Sequence, residues 1–308
     1  MHVHHHGSHD HGHSHAHAAP SRSRAFALGV ALNLSFIVAE VVFGVRAHSL
    51  ALLADAGHNL SDALGLGLAW GALVLAQRPP TERHTYGMRR ASILAALANA
   101  ILLLMAVGGI SWEALERLGR PHPVVGQMVM MVAAAGVVIN GATALLFLSG
   151  RKDDINVRAA FLHMAADAVV SLGVVAAGLV MARTGWLWLD PAVSLAIGAV
   201  IVWGTWSLLR ESAHLAMDGV PEGVDPAAVE RYLAGLPGVT AVHDLHIWAM
   251  STTEVALTAH LIKPDAEVDD GLLQRICLEL RDRFHIAHVT IQLEREDGGC
   301  EQAPAHVV

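Results

Sequence analysis

SLALLADAGHNLSDALGLGLAW, residues 49–70, is an apolar run long enough to cross a bilayer as a helix, yet it carries Asp55, His58 and Asp62 in its interior. A helix needs about 20 predominantly apolar residues to span hydrocarbon. An ionisable side chain there is costly and calls for a partner or a task. Outward from this stretch the chain repeats the pattern, with apolar spans near Ala25–Val45, Leu50–Ala76, Ser92–Leu115, Val124–Leu148, Val157–Met181 and Leu187–Leu209. Charged or Pro- and Gly-containing residues separate them. A mean hydropathy of +0.45 and 54% hydrophobic residues over 308 agree with a membrane protein rather than a soluble one.

The second unusual span is the fifth, where His163 and Asp167 repeat the spacing of His58 and Asp62. Four residues separate the partners, which puts each pair on one helical face, one turn apart. At 1.5 Å per residue, His58 lies roughly 12 Å and Asp167 roughly 15 Å into its span, so the pairs can meet near mid-membrane. Two imidazoles and two carboxylates suit a tetrahedral zinc-like ion and fit neither the all-oxygen shell of magnesium nor a carbonyl cage for potassium. The alternative reading, an internal His–Asp hydrogen bond in each helix, accounts for one pair more readily than for two matched ones. Asp55, nearly on the face of Asp62, reads either as a supporting or exit-path carboxylate or as a capping and packing residue. Asn33, Glu40 and Asn140 are further polar residues inside spans.

Charge divides the chain. Residues 1–210 hold 14 Lys and Arg against 11 Asp and Glu; residues 211–308 hold 6 against 17. The second part is an acidic, water-facing unit that repels nucleic acid. An even number of spans puts both termini on one side. Arg22, Arg24, Arg78, Arg83, Arg89, Arg90, Arg151, Lys152, Arg158 and Arg210 border that side, against Arg46, Arg117, Arg120 and Arg183 on the other, so the termini are expected in the cytoplasm. Cys277 and Cys300 form no C-x-x-C pair, no signal peptide is evident, and no G-x-x-x-x-G-K-[ST] run offers ATP-driven chemistry. The opening tract holds His2, His4, His5, His6, His9, His11, His13, His15 and His17; it reads as a loose metal-capturing tail, or as a tag fragment or solubilising segment.

After Asp218 the pattern is that of a small soluble domain. The order is a helix at Pro226–Leu236 capped by Asp225, strands at Val239–Met250 and Glu254–Ile262, a helix at Asp269–Phe284 and a strand at Ile286–Glu294. In the last strand Val289, Ile291 and Leu293 alternate with His288, Thr290, Gln292 and Glu294. The expectation is an α+β sheet covered on one face by two helices, with a core small enough to favour a partner subunit. The domains expected are a disordered His-rich tail over 1–21, a six-helix all-α transmembrane domain over 22–210, a cytoplasmic α+β domain over 211–296 and a flexible tail over 297–308.

The stretches LNLSFIVAE (32–40), SLALLADAGHNLSDALGLGLAW (49–70), YGMRRASILAALANA (86–100), DDINVRAAFLHMAADAVVSLGVV (153–175), VHDLHIWAMSTTEVALTAHLI (242–262) and IAHVTIQLE (286–294) together resemble the cation diffusion facilitators, in their zinc-transporting branch. The resemblance runs from about Arg22 to Glu294. It implies a bacterial inner-membrane antiporter that exports zinc for protons at His58, Asp62, His163 and Asp167. It also implies a homodimer in the lipid bilayer, whose cytoplasmic domains have a ferredoxin-like, metallochaperone-like fold. By position His243, His260 and Glu294 match regulatory zinc ligands there, with His246 and His288 as further candidates. Read as strand residues alone, His243 is a satisfied semi-buried histidine and His260 a residue of the strand's polar face. Gln292 stands where some relatives have a histidine, which argues against a two-metal cluster. His48, His84, His122, His214 and His285 lie at element boundaries and read as incidental. The rival functions are an exporter preferring cadmium, cobalt, iron or manganese, and a membrane-bound metal sensor or storage protein. A zinc hydrolase fits poorly, because four protein ligands leave no open position for water.

Overall fold

The computed structural model describes residues 20–120, 122–148, 155–264 and 270–295. The N-terminal histidine tract and the expected C-terminal tail fall outside these residues. Six long helices come first: α1 (Pro20–Ala47), α2 (Leu50–Ala76), α3 (Ala91–Gly119), α4 (Gly126–Phe147), α5 (Ile155–Thr184) and α6 (Leu189–Ala216). Five of them, α2 to α6, are long and apolar enough to cross a membrane. Helix is the form such segments take, because every backbone polar group must find its partner within the segment. The ends follow the chain's own breakers. Helix α2 stops ahead of Pro79 and Pro80, and Gly185, at φ +71°, closes α5 with its N–H on the Met181 carbonyl at 2.9 Å.

The outer surface of this bundle is apolar. Val138, Leu146, Val169, Val200 and Trp203 all lie exposed, a surface that suits lipid rather than water. The interior is built from small and branched residues, with Ala51, Leu52 and Ala54 of α2 packed among Val107, Val129, Val174 and Ile197. Helices α4 and α5 touch backbone to backbone: a Cβ on Gly178 would lie 2.9 Å from Met130 N, and one on Gly126 would lie 2.9 Å from the Gly178 carbonyl. Such close approach by small residues is how helices associate in a membrane, where apolar burial gives no driving force.

The start of α2 is tied to α6. Asp190, fully buried, accepts the Ser49 hydroxyl, the Leu50 N–H at 2.7 Å and the Ala51 N–H at 3.4 Å. Those amides are among the ones a helix leaves unpaired at its first turn, and a carboxylate there also complements the helix dipole. The helix that carries His58 and Asp62 is thereby fixed at one end.

Beyond α6 comes the α+β unit: α7 (Pro226–Ala234), β1 (Ala241–Ala249), β2 (Val255–Ile262), α8 (Asp270–Phe284) and β3 (Ile286–Glu294). Element order matches the expectation, with ends shifted by one or two residues. Asp225 caps α7 by accepting the Ala227 N–H at 3.0 Å, with Pro226 opening the first turn. The sheet order is β1-β2-β3, with β1 antiparallel and β3 parallel to the central β2. Val229 and Leu233 of α7 and Leu272, Ile276 and Leu280 of α8 pack on Ile247, Leu257, Ala259 and Leu261. One face of the sheet is thus the core, and the alternate residues form the other face. Arg89 pairs with Glu254 and Arg90 with Asp218, while Ser92 Oγ accepts the Thr252 N–H at 3.1 Å, so the first turn of α3 and the residues just before it are joined to the α+β unit.

Candidate metal centres

Helices α2 and α5 bring their polar faces together. His58 Nε2 lies 3.4 Å from Asp167 Oδ1 and 3.7 Å from Asp62 Oδ2; His163 Nε2 lies 3.2 Å from Asp62 Oδ2 and 3.6 Å from Asp167 Oδ2. Each imidazole faces both carboxylates, and the two rings meet edge to face with centroids 6.1 Å apart. These separations carry chemical information. In a tetrahedron the ligand–ligand distance is about 1.63 times the bond length, so bonds of about 2.0–2.1 Å, as for zinc with nitrogen and oxygen, need donors about 3.3–3.4 Å apart. The four imidazole–carboxylate separations, 3.2–3.7 Å, bracket that spacing, with Asp167 turning a different oxygen to each ring. His58, Asp62 and Asp167 also form a group whose ligand atoms lie within 4.8 Å of one another.

The site is open at one end. Side-chain exposure falls from 43% at His163 and 36% at Asp62 to 24% at His58 and 4% at Asp167. Beyond them Asp55 and Glu40 are closed off altogether. The open end is the one where α2 finishes and α5 begins, the side richer in Arg and Lys. Asp55 does not join the four donors; Ser171 Oγ donates to its Oδ2 at 3.2 Å. Glu40, on α1, accepts Asn59 Nδ2 at 3.0 Å.

A second cluster lies on the helix-free face of the sheet. His243 and His260 are direct cross-strand neighbours, with rings edge to face at 5.2 Å. Glu294 reaches both, with Oε2 3.3 Å from His243 Nε2 and Oε1 3.1 Å from His260 Nδ1. Together they form the other donor group within 4.8 Å among the described residues. Sequence reasoning missed Asp244 here. Its φ of +50° and the register shift between His243 and His246 form a bulge. The bulge turns its carboxylate between His246 Nε2, at 2.8 Å, and His260 Nε2, at 3.4 Å. His246 thus joins through Asp244, not as a member of the donor group. His288 stands apart, its ring edge to face with Tyr86 at 5.4 Å. Gln292 donates to Glu294 Oε1 at 2.9 Å, holding that carboxylate. Of the boundary histidines, His214 contacts the Val220 carbonyl at 3.0 Å and His122 the Arg120 carbonyl at 3.0 Å.

Comparison with known proteins meets this geometry from another direction. Residues 26–215 match the family described as the cation efflux transmembrane domain, and residues 221–296 match the cation efflux protein cytoplasmic domain. The metal cation efflux system protein CzcD of Cupriavidus metallidurans is 39% identical over 283 residues, covering 90% of this chain and 88% of that protein. The zinc transporter ZitB of Escherichia coli strain K12 is 39% identical over 261 residues, covering 84% and 83%. A Bacillus subtilis protein named as a cadmium, cobalt and zinc/H(+)-K(+) antiporter is 34% identical over 266 residues, covering 85% of each chain. The paired donors inside an apolar bundle, the α+β unit behind it and these matches over most of each chain agree: the chain is a membrane transporter rather than an enzyme, and it belongs to the cation diffusion facilitator family, with the CzcD and ZitB proteins.

Proposed function

We propose that this protein exports zinc from the cytoplasm in exchange for protons, by alternating access around His58, Asp62, His163 and Asp167. The observation that carries the reading is the spacing of the four donors, 3.2–3.7 Å between each imidazole nitrogen and the two carboxylates, which suits zinc in a tetrahedral shell. Larger ions need the donors further apart, so cadmium is a competitor that the cavity must widen to take; the Bacillus subtilis relative carries both metals in its name. Imidazole and carboxylate bind metal only when unprotonated, so protons compete for the same atoms. A site that opens alternately to the two sides then lets protons entering from outside displace zinc outward.

In this reading α1 is the sixth span, both termini are cytoplasmic, and the cell membrane of a bacterium is the setting. The transmembrane domain runs over 22–210 and a ferredoxin-like cytoplasmic domain over 211–296, with tails at 1–21 and 297–308. In this reading the exposure gradient, falling from His163 to Asp167, corresponds to a conformation open to the cytoplasm. His243, His260 and Glu294 take a regulatory zinc ion, with Asp244 orienting His260. The small core of the cytoplasmic domain and the family it matches favour a homodimer through that domain.

The test is zinc-driven proton counterflow in sealed proteoliposomes for the parent and for Asp62→Ala and Asp167→Ala, with cadmium, cobalt and manganese as competitors. Coupled flux in the parent that is lost in both variants is expected. Zinc binding without transport in the parent, or unchanged transport after both substitutions, refutes the reading.

A further inference from the structure

One cavity has no part in either donor cluster. It lies between the end of α7 and α8, measures about 640 Å³ and is floored by Tyr232, Leu236 and Leu272. Lys263, Arg275 and Arg283 line it, against one carboxylate among the described residues, Glu279. Those cations are three of the 6 Lys and Arg in residues 211–308, a stretch with 17 Asp and Glu. In so acidic a unit, positive charge gathered over an apolar floor suits a negatively charged segment. Arg283 is held in place for it, with its guanidinium 5.3 Å from the centre of the Tyr232 ring and Nη1 3.5 Å from Glu279 Oε2.

The chain delivers such a segment to the cavity's edge. The Lys263 N–H donates to the Glu294 carbonyl at 2.7 Å, so β3 ends beside a lining residue. The side chain of Lys263 lies over Gly238, where an added Cβ would meet its Cε at 3.3 Å. Whatever follows Arg295 therefore starts at the mouth. Residues 296–308 carry Glu296, Asp297 and Glu301 and neither Lys nor Arg. Helix α8 leads away from this end, because it closes at Phe284 while Ile286 pairs with Val255 at the far end of β2. Eight residues separate Arg275 from Arg283, about 12 Å along the helix axis. Four residues separate Asp297 from Glu301, about 13 Å in an extended chain. Between them Gly298 and Gly299 let the backbone lie close on Leu278, which lines the cavity and is 51% exposed. We infer that residues 296–301 dock in this cavity as an extended strap along α8, with Asp297 on Arg275 and Glu301 on Arg283. The strap covers apolar surface of a domain with a small core, and it ties down the strand end that carries Glu294.

Full-length protein in lipid tests this with a nitroxide on Cys300, the exposed Cys277 being replaced by Ser. The label is expected to give an immobilised spectrum, to be freed by Arg275→Glu with Arg283→Glu, and to be immobilised again when Asp297→Lys and Glu301→Lys are added. A label that tumbles freely without the Arg substitutions overturns the inference and leaves the cavity to a separate anionic ligand. Immobilisation that survives the reversal, or that the double swap does not restore, overturns it too. Should the reversed chains fail to fold, the two native cysteines carry the test. With both labelled, and labelled chains diluted by a cysteine-free chain, the distance between Cys277 and Cys300 should be single and narrow at low salt and broaden at about 1 M salt. A broad distribution at low salt, or a narrow one that salt leaves unchanged, refutes the charge-held strap.

Discussion

Asp167→Asn and Asp62→Asn should differ in effect, though both remove one carboxylate from the same proposed zinc shell. Asp167 presents one oxygen to each imidazole, at 3.4 and 3.6 Å, and its side chain is 4% exposed. No water can take its place. Asp62 is 36% exposed, so solvent can fill part of the coordination it loses. Even the outer hydrogen-bonding partners of metal ligands cost about 10–100-fold in affinity when removed. A buried direct ligand should cost no less than the top of that range, about 100-fold or 2.7 kcal/mol. The exposed one should fall about tenfold short of that. The assay is zinc affinity from the concentration dependence of transport, with both variants compared in one His243→Ala, Glu294→Gln background so that the cytoplasmic ligands are removed alike. Thermal unfolding of the zinc-free protein gives a second readout of opposite sign. Asparagine removes a buried charge that has no metal to balance it, so the melting temperature of Asp167→Asn should hold or rise while affinity falls. Equal losses in the two variants, or a fall in melting temperature matching the loss of affinity in Asp167→Asn, would refute the argument from burial.

Asp190→Asn should lower stability by about 3 kcal/mol in detergent denaturation, since it weakens hydrogen bonds from Ser49 and Leu50 to a charged acceptor. Gly178→Val should separate α4 from α5, because its Cβ would meet Met130 N at 2.9 Å; a loss of about 1–3 kcal/mol is expected, read as a lower melting temperature. His243→Ala combined with Glu294→Gln should reduce the zinc bound per full-length chain by elemental analysis, while Asp62 and Asp167 keep their own ion. Arg89→Ala should cost under about 1 kcal/mol in the same denaturation assay, because its pair with Glu254 is some 40% exposed on each side.

The helices and the paired donors were legible because each rests on a local rule. A bilayer sets the length of an apolar span, and a four-residue spacing puts His58 with Asp62 and His163 with Asp167 on single faces. Strand alternation likewise located Glu294 opposite the core side of β3. What sequence could not supply is which faces meet. The hydrogen bond from Asn59 to Glu40 depends on α1 and α2 packing side by side, and the close approach of α1 to α4 at Gly136, where a Cβ would lie 2.8 Å from Phe36, has no signature beyond a glycine in an apolar run. Asp244 was hidden for a different reason: regular alternation turns it away from His243, and only the left-handed backbone of a non-glycine residue brings it back. His288 could have been set aside earlier. It shares a face with Glu294 but stands six residues away, about 20 Å along a strand, too far to serve one ion.

Charge explains why so polar a site survives in hydrocarbon under the proposed exchange. With both imidazoles neutral, Asp62 and Asp167 leave the four donors at minus two, an expensive state with no occupant. One zinc ion brings the set to zero, and so do two protons. The two loaded states therefore carry the same net charge, and the bundle can reorient in either without dragging an uncompensated charge through the membrane. The bare site is the costly one, which ties the outward step to zinc and the return step to protons.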